Sequence, residues 1–146
     1  LTQPESVHAL RLLEGCLQEA MRLWPTTPML MRESIEPDVL GGEIIPPKTR
    51  VLVLNSFNHR DRESCDTADS FTPDRWLETP VDYRFNHLSK GTQVCAGKNL
   101  ALSVGTAVLA ALLKPRSYKL VKPRLVPNQP MPHAFNYFRT RLVSES

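Results

Sequence analysis

The chain has 146 residues, 41% of them hydrophobic, which is enough for one globular unit with a real core. Its 18 basic and 15 acidic residues leave a net charge of +3, too small and too dispersed to argue for a nucleic-acid partner. Three cysteines without a C-x-x-C pair make neither a disulfide framework nor a zinc pattern and fit a reducing, intracellular compartment, with the cytoplasm as the expectation. No signal peptide is evident, and the best apolar run, Ala107 to Leu113, is far too short to span a bilayer, so the segment is expected to be soluble. Leu1-Thr2-Gln3 leads almost at once into a helix pattern, as in a piece of a longer chain, and any membrane anchor would then lie upstream.

In chain order, Val7, Leu10, Leu13, Leu17, Met21 and Trp24 recur at steps of three and four, which predicts a helix from about Glu5 to Leu23 with Ser6 as N-cap. Trp24-Pro25 ends it, because the residue before proline is pushed out of the α region. Met29 to Arg32 reads as a short strand, Gly41-Gly42 as a turn, Glu43 to Ile45 and Arg50 to Asn55 as further strands around a Pro46-Pro47 break, together a small antiparallel sheet. Ser56 to Asp82 is polar and reads as a short helix followed by irregular coil. An apolar helix follows from Leu100 to Leu113, and Tyr118 to Val121 and Tyr137 to Val143 are strand candidates across a proline-rich turn.

Glu19 and Arg22 share a helix face, a pair that alone contributes only a few tenths of a kcal/mol. The proline-fixed turn Phe71-Thr72-Pro73-Asp74-Arg75-Trp76 brings a second arginine between two aromatics. If all three pack together, one carboxylate is held bidentately from both sides, and losing a partner costs about 3–5 kcal/mol. The run Gly91-Thr92-Gln93-Val94-Cys95-Ala96-Gly97 puts Cys95 at a helix mouth, where the dipole and free N–H groups favour a thiolate. Such a sulfur is a nucleophile or a metal ligand, and flanking glycines would let a flat, bulky group approach.

Other readings of these residues are weaker. A phosphate loop needs four residues between its glycines and a hydroxyl after the lysine, whereas five separate Gly91 from Gly97 and Asn99 follows Lys98. His59-Arg60-Asp61 imitates a kinase catalytic loop without the required asparagine and reads as a surface loop. Cys95 with His87 or His59 as base would make a hydrolase, but no cysteine-protease signature surrounds it. Cys16 reads as a small core residue, Cys65 as an incidental thiol, His87 and His133 as hydrogen-bonded structural histidines, and Trp24 and Trp76 as packing anchors.

Glu19-x-x-Arg22, Phe71-x-Pro73-x-Arg75 and Gly91-x-x-x-Cys95-x-Gly97, in that order, resemble the C-terminal part of a cytochrome P450. The resemblance covers essentially all of residues 1–146 and implies a mainly α fragment of a single haem-thiolate domain with a minor antiparallel β-sheet. By the same resemblance Cys95 is the thiolate ligand of the iron of haem b, and Glu19, Arg22 and Arg75 form a buried structural triad. Leu88, Gly91, Gln93, Val94, Ala96 and Gly97 would border the cofactor, and Arg32 would reach a propionate. Thr27, Met29 and Leu30, and the turn near Pro132 to Phe135, would face a small hydrophobic organic substrate. Two positions depart from the family pattern: Leu88 stands where phenylalanine is usual, and Gln93 where arginine or histidine is usual.

The implied activity is monooxygenation, with electrons from a ferredoxin or reductase that could dock on a basic face of Arg84, Lys90 and Lys98. The alternatives are a peroxide-using or hydroperoxide-rearranging enzyme, suggested by Gln93 and Cys95-Ala96-Gly97-Lys98-Asn99, and a non-catalytic haem-binding module. No residue matches the family's distal acid and alcohol pair, so the fragment alone is expected to be inactive and to aggregate through unpartnered apolar faces.

Overall fold

The computed structural model describes residues 4–78, 83–126 and 129–145, with side chains from residue 9 onward. Helix α1 spans Pro4–Leu23 and already runs through Ser6, so Ser6 is not the cap. The proline, lacking an N–H, suits a first turn whose donors have no partner in the helix. α1 ends as expected before Pro25, with Trp24 N–H donating to Ala20 O at 2.9 Å.

The expected single sheet is two separate two-stranded pairs. β1 (Leu30–Glu33) pairs antiparallel with β4 (Arg50–Val53), setting Arg32 opposite Val51. Between them β2 (Asp38–Leu40) pairs with β3 (Glu43–Ile45) around Gly41 and Gly42, whose φ values of +62° and +88° give the twist a two-residue hairpin needs. Pro46 and Pro47 supply no N–H groups, and Lys48 is left-handed at φ 63°, so the ladder breaks before β4 begins. Asn55, expected to end that strand, instead starts the single-turn helix α2 (Asn55–Asn58).

Residues Pro73–Trp76 form one 3-10 turn, as the proline predicts, and it packs on α1. α3 spans Lys98–Leu113 and also packs on α1. β5 (Ser117–Lys122) pairs with β6 (Arg141–Glu145). The strand expected from Tyr137 starts only at Arg141, because Tyr137–Arg139 close into a 3-10 turn, with Arg139 N–H on Asn136 O at 3.0 Å.

What lies at the centre is polar. The largest fully buried side chains are Arg22, His59, Glu19 and Asn55, and among the described residues the buried apolar ones are Leu23, Ala68, Phe85 and Leu102. Glu19 and Arg22 meet as the sequence predicts, through Arg22 Nε to Oε2 and Nη2 to Oε1, both 2.9 Å. Arg75 joins by Nε alone, 3.2 Å from both carboxylate oxygens, so only Arg22 is bidentate. The remaining lone pairs take the Thr72 N–H and the Trp76 indole N–H, each at 2.9 Å, two donors that the sequence reading missed. Arg22 spends its other protons on the carbonyls of His59, Ala68 and Ser70. The Phe85 ring covers both arginines, its centroid 5.3 Å from each Cζ. Burial alone would raise the Glu19 pKa, but hydrogen bonds from Arg22 and Thr72 and the charges of Arg22 and Arg75 outweigh it and hold the carboxyl below its ordinary value.

The turn reaches Glu19 because α1 has no side chain in the way. A Cβ at Gly15 would stand 2.8 Å from the Pro73 carbonyl oxygen, a backbone atom that cannot swing aside. Gly105 of α3 meets only the end of the Leu17 side chain, 2.5 Å from the corresponding Cβ position.

Gly15→Ala in the parent protein should therefore cost about 1–3 kcal/mol in denaturant unfolding, and Gly105→Ala less, since Leu17 can change rotamer. Glu19→Gln should cost about 3–5 kcal/mol by leaving buried guanidinium groups uncompensated. Because the folded pKa of Glu19 is lowered, its contribution is complete above the unfolded carboxyl pKa of about 4.3 and is lost as pH falls through the folded value. Wild type should lose stability below that pH more steeply than Glu19→Gln, read as unfolding midpoints between pH 5 and pH 3.

Candidate functional site

The cysteine loop is built on the buried core and turns outward from it. Phe85 is buried, and Asn86 lies against His59, its N–H 3.1 Å from His59 Nε2. Two left-handed residues then reverse the chain, Ser89 at φ 58° and Gly91 at φ 65°. Gly91–Gln93 make a 3-10 turn. Cys95 is pinned on both sides, its N–H to Leu88 O at 2.9 Å and its carbonyl to the Lys98 N–H at 3.1 Å, where α3 begins. Its thiol side is exposed, as are Gly91, Gln93, Val94, Ala96 and Gly97, while Leu88 is half-buried. Gly91 uses the freedom expected of it. Gly97 does not, with φ −87°, and a Cβ there would make an ordinary 3.9 Å contact with Cys95 Sγ.

The other expected site residues are more scattered. Arg32 is exposed on β1 with its guanidinium on Met31 O at 2.9 Å. Thr27 and Met29 are exposed and Leu30 half-buried, and Thr27 O accepts from Asn55 Nδ2 at 3.1 Å. A cleft of about 380 Å³ opens beside them, with Trp24, Thr26, Pro28, Ser56, Arg60 and Phe135 in its walls. Thr27, Met29 and Leu30 are not among its lining residues, but the turn after Pro132 contributes His133, Ala134 and Phe135. Of the basic residues, Arg84 donates to Ser64 O at 2.7 Å and Lys90 stands 5.1 Å over the Tyr83 ring.

The surface-loop reading of His59-Arg60-Asp61 is wrong for its first two residues. His59 is fully buried, with Nδ1 3.1 Å from Arg22 O, and burial lowers its pKa. Arg60, 8% exposed, donates to Leu23 O, Met131 O, Pro132 O and Asp69 Oδ1. The Trp24 indole also donates to Pro132 O, at 2.9 Å, so this packing anchor is a hydrogen-bond donor too. Nothing local marks Arg60 in the sequence, since its partners lie up to 72 residues away. Cys16 is half-buried and burial raises its pKa, as a core thiol should behave. Cys65 is less incidental than expected: Arg75 Nη1 lies 3.5 Å from its sulfur, and although burial would raise its pKa, hydrogen bonds from Thr67 and Arg75 lower it. His87, read as a hydrogen-bonded histidine, has no protein partner for either ring nitrogen among the described residues.

Among the described residues no three His, Cys, Asp or Glu side chains converge on a metal site, and no helix is long and apolar enough to cross a membrane. The cytochrome P450 family model matches residues 2–136. Relatives include a dihydroniloticin synthase of Ailanthus altissima, 33% identical over 78% of this chain and 24% of its own length. A chloroplastic carotene epsilon-monooxygenase of Arabidopsis thaliana is 30% identical over 80% of this chain and 23% of its own length. A germacrene A hydroxylase of Barnadesia spinosa is 33% identical over 81% of this chain and 25% of its own length. The chain thus spans about a quarter of the length of the curated relatives it matches. With most of its length matched by the family model, the chain belongs to the cytochrome P450 family.

Proposed function

We propose that residues 1–146 are the C-terminal, proximal part of one haem-thiolate domain, and that Cys95 would supply the thiolate that holds the iron of haem b in a monooxygenase acting on a small hydrophobic organic substrate. The observation that carries this is the exposed Cys95 on a loop pinned by Leu88 O and Lys98 N–H at the start of α3. The donor set fits the group. One isolated thiol, without a converging cluster of other ligands among the described residues, suits a metal whose remaining positions are filled by a macrocycle. The neutral residues Gly91, Gln93, Val94, Ala96 and Gly97 around it, with Leu88 behind, give a flat group an open face.

The cofactor, when bound, supplies an iron whose thiolate ligand pushes electron density toward oxygen and favours O–O bond cleavage. This chain's residues fix the sulfur and border the ring, and Arg32, exposed on β1, is free to turn from Met31 O toward a propionate carboxylate. Gln93 can offer a propionate a neutral hydrogen bond without charge. Thr27, Met29 and Leu30 would face the substrate. The hydroxylase and monooxygenase names of the relatives favour oxygen insertion, with electrons from a ferredoxin or reductase docking on the Lys90 and Lys98 side. The oxygen-activating residues belong to the rest of the parent chain, so the fragment alone would be inactive.

On α3, Leu100, Val104, Val108 and Leu112 recur every fourth residue and are 70, 53, 52 and 52% exposed. That apolar stripe fits a face covered by the remainder of a longer domain. The isolated 146-residue chain should therefore self-associate at micromolar concentration in analytical ultracentrifugation; a monomer that unfolds cooperatively would contradict this.

The haem reading is tested by the absorption spectrum of the reduced, carbon monoxide-bound parent protein beside Cys95→Ser. A thiolate-type, red-shifted Soret band in wild type that disappears in the variant is the expected result. The same imidazole-like band in both, or no haem in either, would sink the assignment.

A further inference from the structure

The structure assigns a buried water site to His87, which bridges the cysteine loop to α1. A cavity of about 70 Å³ lies there, with Gln18 of α1, Trp76, His87, Ser89, Lys90 and Lys98 among its lining residues. A buried water needs roughly 10–15 Å³ of such space and two to four polar partners, so there is room for more than one. Both nitrogens of the His87 ring are buried, and no group among the described residues bonds to either. The ring cannot turn freely to find partners, because it is wedged edge-on against Trp76 at 5.2 Å and His59 at 6.0 Å between centroids.

Burial, aided by the charges of His59, Lys90 and Lys98, pushes the His87 pKa down to about 4, so at neutral pH the imidazole carries one donor and one acceptor. Leaving both unmatched is the costly case for a buried polar ring. Two waters satisfy both, one accepting from the ring N–H and one donating to the bare nitrogen, and the Gln18 amide and Ser89 hydroxyl can complete their shells. A single anion would serve only the donor. The location gives the water a purpose. His87 precedes Leu88, whose carbonyl holds the Cys95 N–H, and Ser89 is the left-handed residue at which the loop turns outward. Water between them and Gln18 ties the loop to the helix that carries Glu19. His87 is thus a positioning residue, and its effect on the thiolate rests on the haem reading above, whereas the water itself does not.

The test uses the full-length parent protein with haem, as wild type, His87→Leu and His87→Gln. A crystal structure that resolves solvent should show an ordered water at about 2.7–3.2 Å from a His87 nitrogen. The reduced carbon monoxide complex is then followed during mild warming. His87→Leu should lose its thiolate-type band several-fold faster than wild type, and His87→Gln, which keeps a donor and an acceptor, should stay near wild type. A dry cavity, a protein group bonded directly to His87, or a leucine variant that keeps the band as long as wild type would overturn the proposal. If wild type shows no thiolate-type band, the haem reading fails alone, and the solvent density at His87 still decides the water site.

Discussion

One carboxylate, Glu19, fixes how the separate pieces of this chain sit. It is fully buried, and its stability rests on donors from three places: its own helix through Arg22, the proline turn through Arg75 and Trp76, and the backbone at Thr72. A buried charge is tolerable only when its hydrogen bonds are complete, so the turn cannot leave without exposing the whole cluster to an uncompensated charge. Arg22 passes the constraint on, because its remaining protons hold the carbonyls of His59, Ala68 and Ser70. His59 in turn holds Asn86, from which the chain enters the cysteine loop. The position of Cys95 is therefore set by a relay of hydrogen bonds that starts on α1.

The surface is as apolar as this centre is polar. Apolar side chains that would ordinarily close a core stand outward, notably Ile35 at 90% and Ile44 at 74% exposed on the β2–β3 side and the stripe on α3. The hydrophobic effect is thus left largely unspent within these residues, and specificity of arrangement comes from directional bonds instead. Such bonds fix geometry well but add modest net stability, since each replaces a bond to water.

Much of this was legible in the sequence, for reasons that are local. α1 and α3 show in the spacing of their apolar residues, and the Gly41-Gly42 and Pro73 turns in their own backbone preferences. The meeting of Glu19, Arg22 and Arg75 was readable because proline and two aromatics mark the turn that carries the second arginine. What escaped depends on distant partners. Trp76 as a donor to Glu19, the burial of His59 and Arg60, and the unmatched ring of His87 have no signature within a few residues. β6 begins at Arg141 rather than Tyr137 because pairing with β5, a distant segment, and the 3-10 turn at Tyr137–Arg139 decide where the strand starts.

Arg60 and Trp24 both wait for the carbonyl of Pro132. A ribosome makes residues in order, so α1 and the buried guanidinium beside its end emerge 72 residues or more before the acceptor they need. Until then Arg60 has the Leu23 carbonyl and Asp69 to bind, and its remaining protons must stay in water. The end of α1 therefore stays partly solvated during synthesis and is sealed from outside by a segment made late. Order of manufacture and order of closure run opposite ways here, and the end of α1 is closed by residues made long after it.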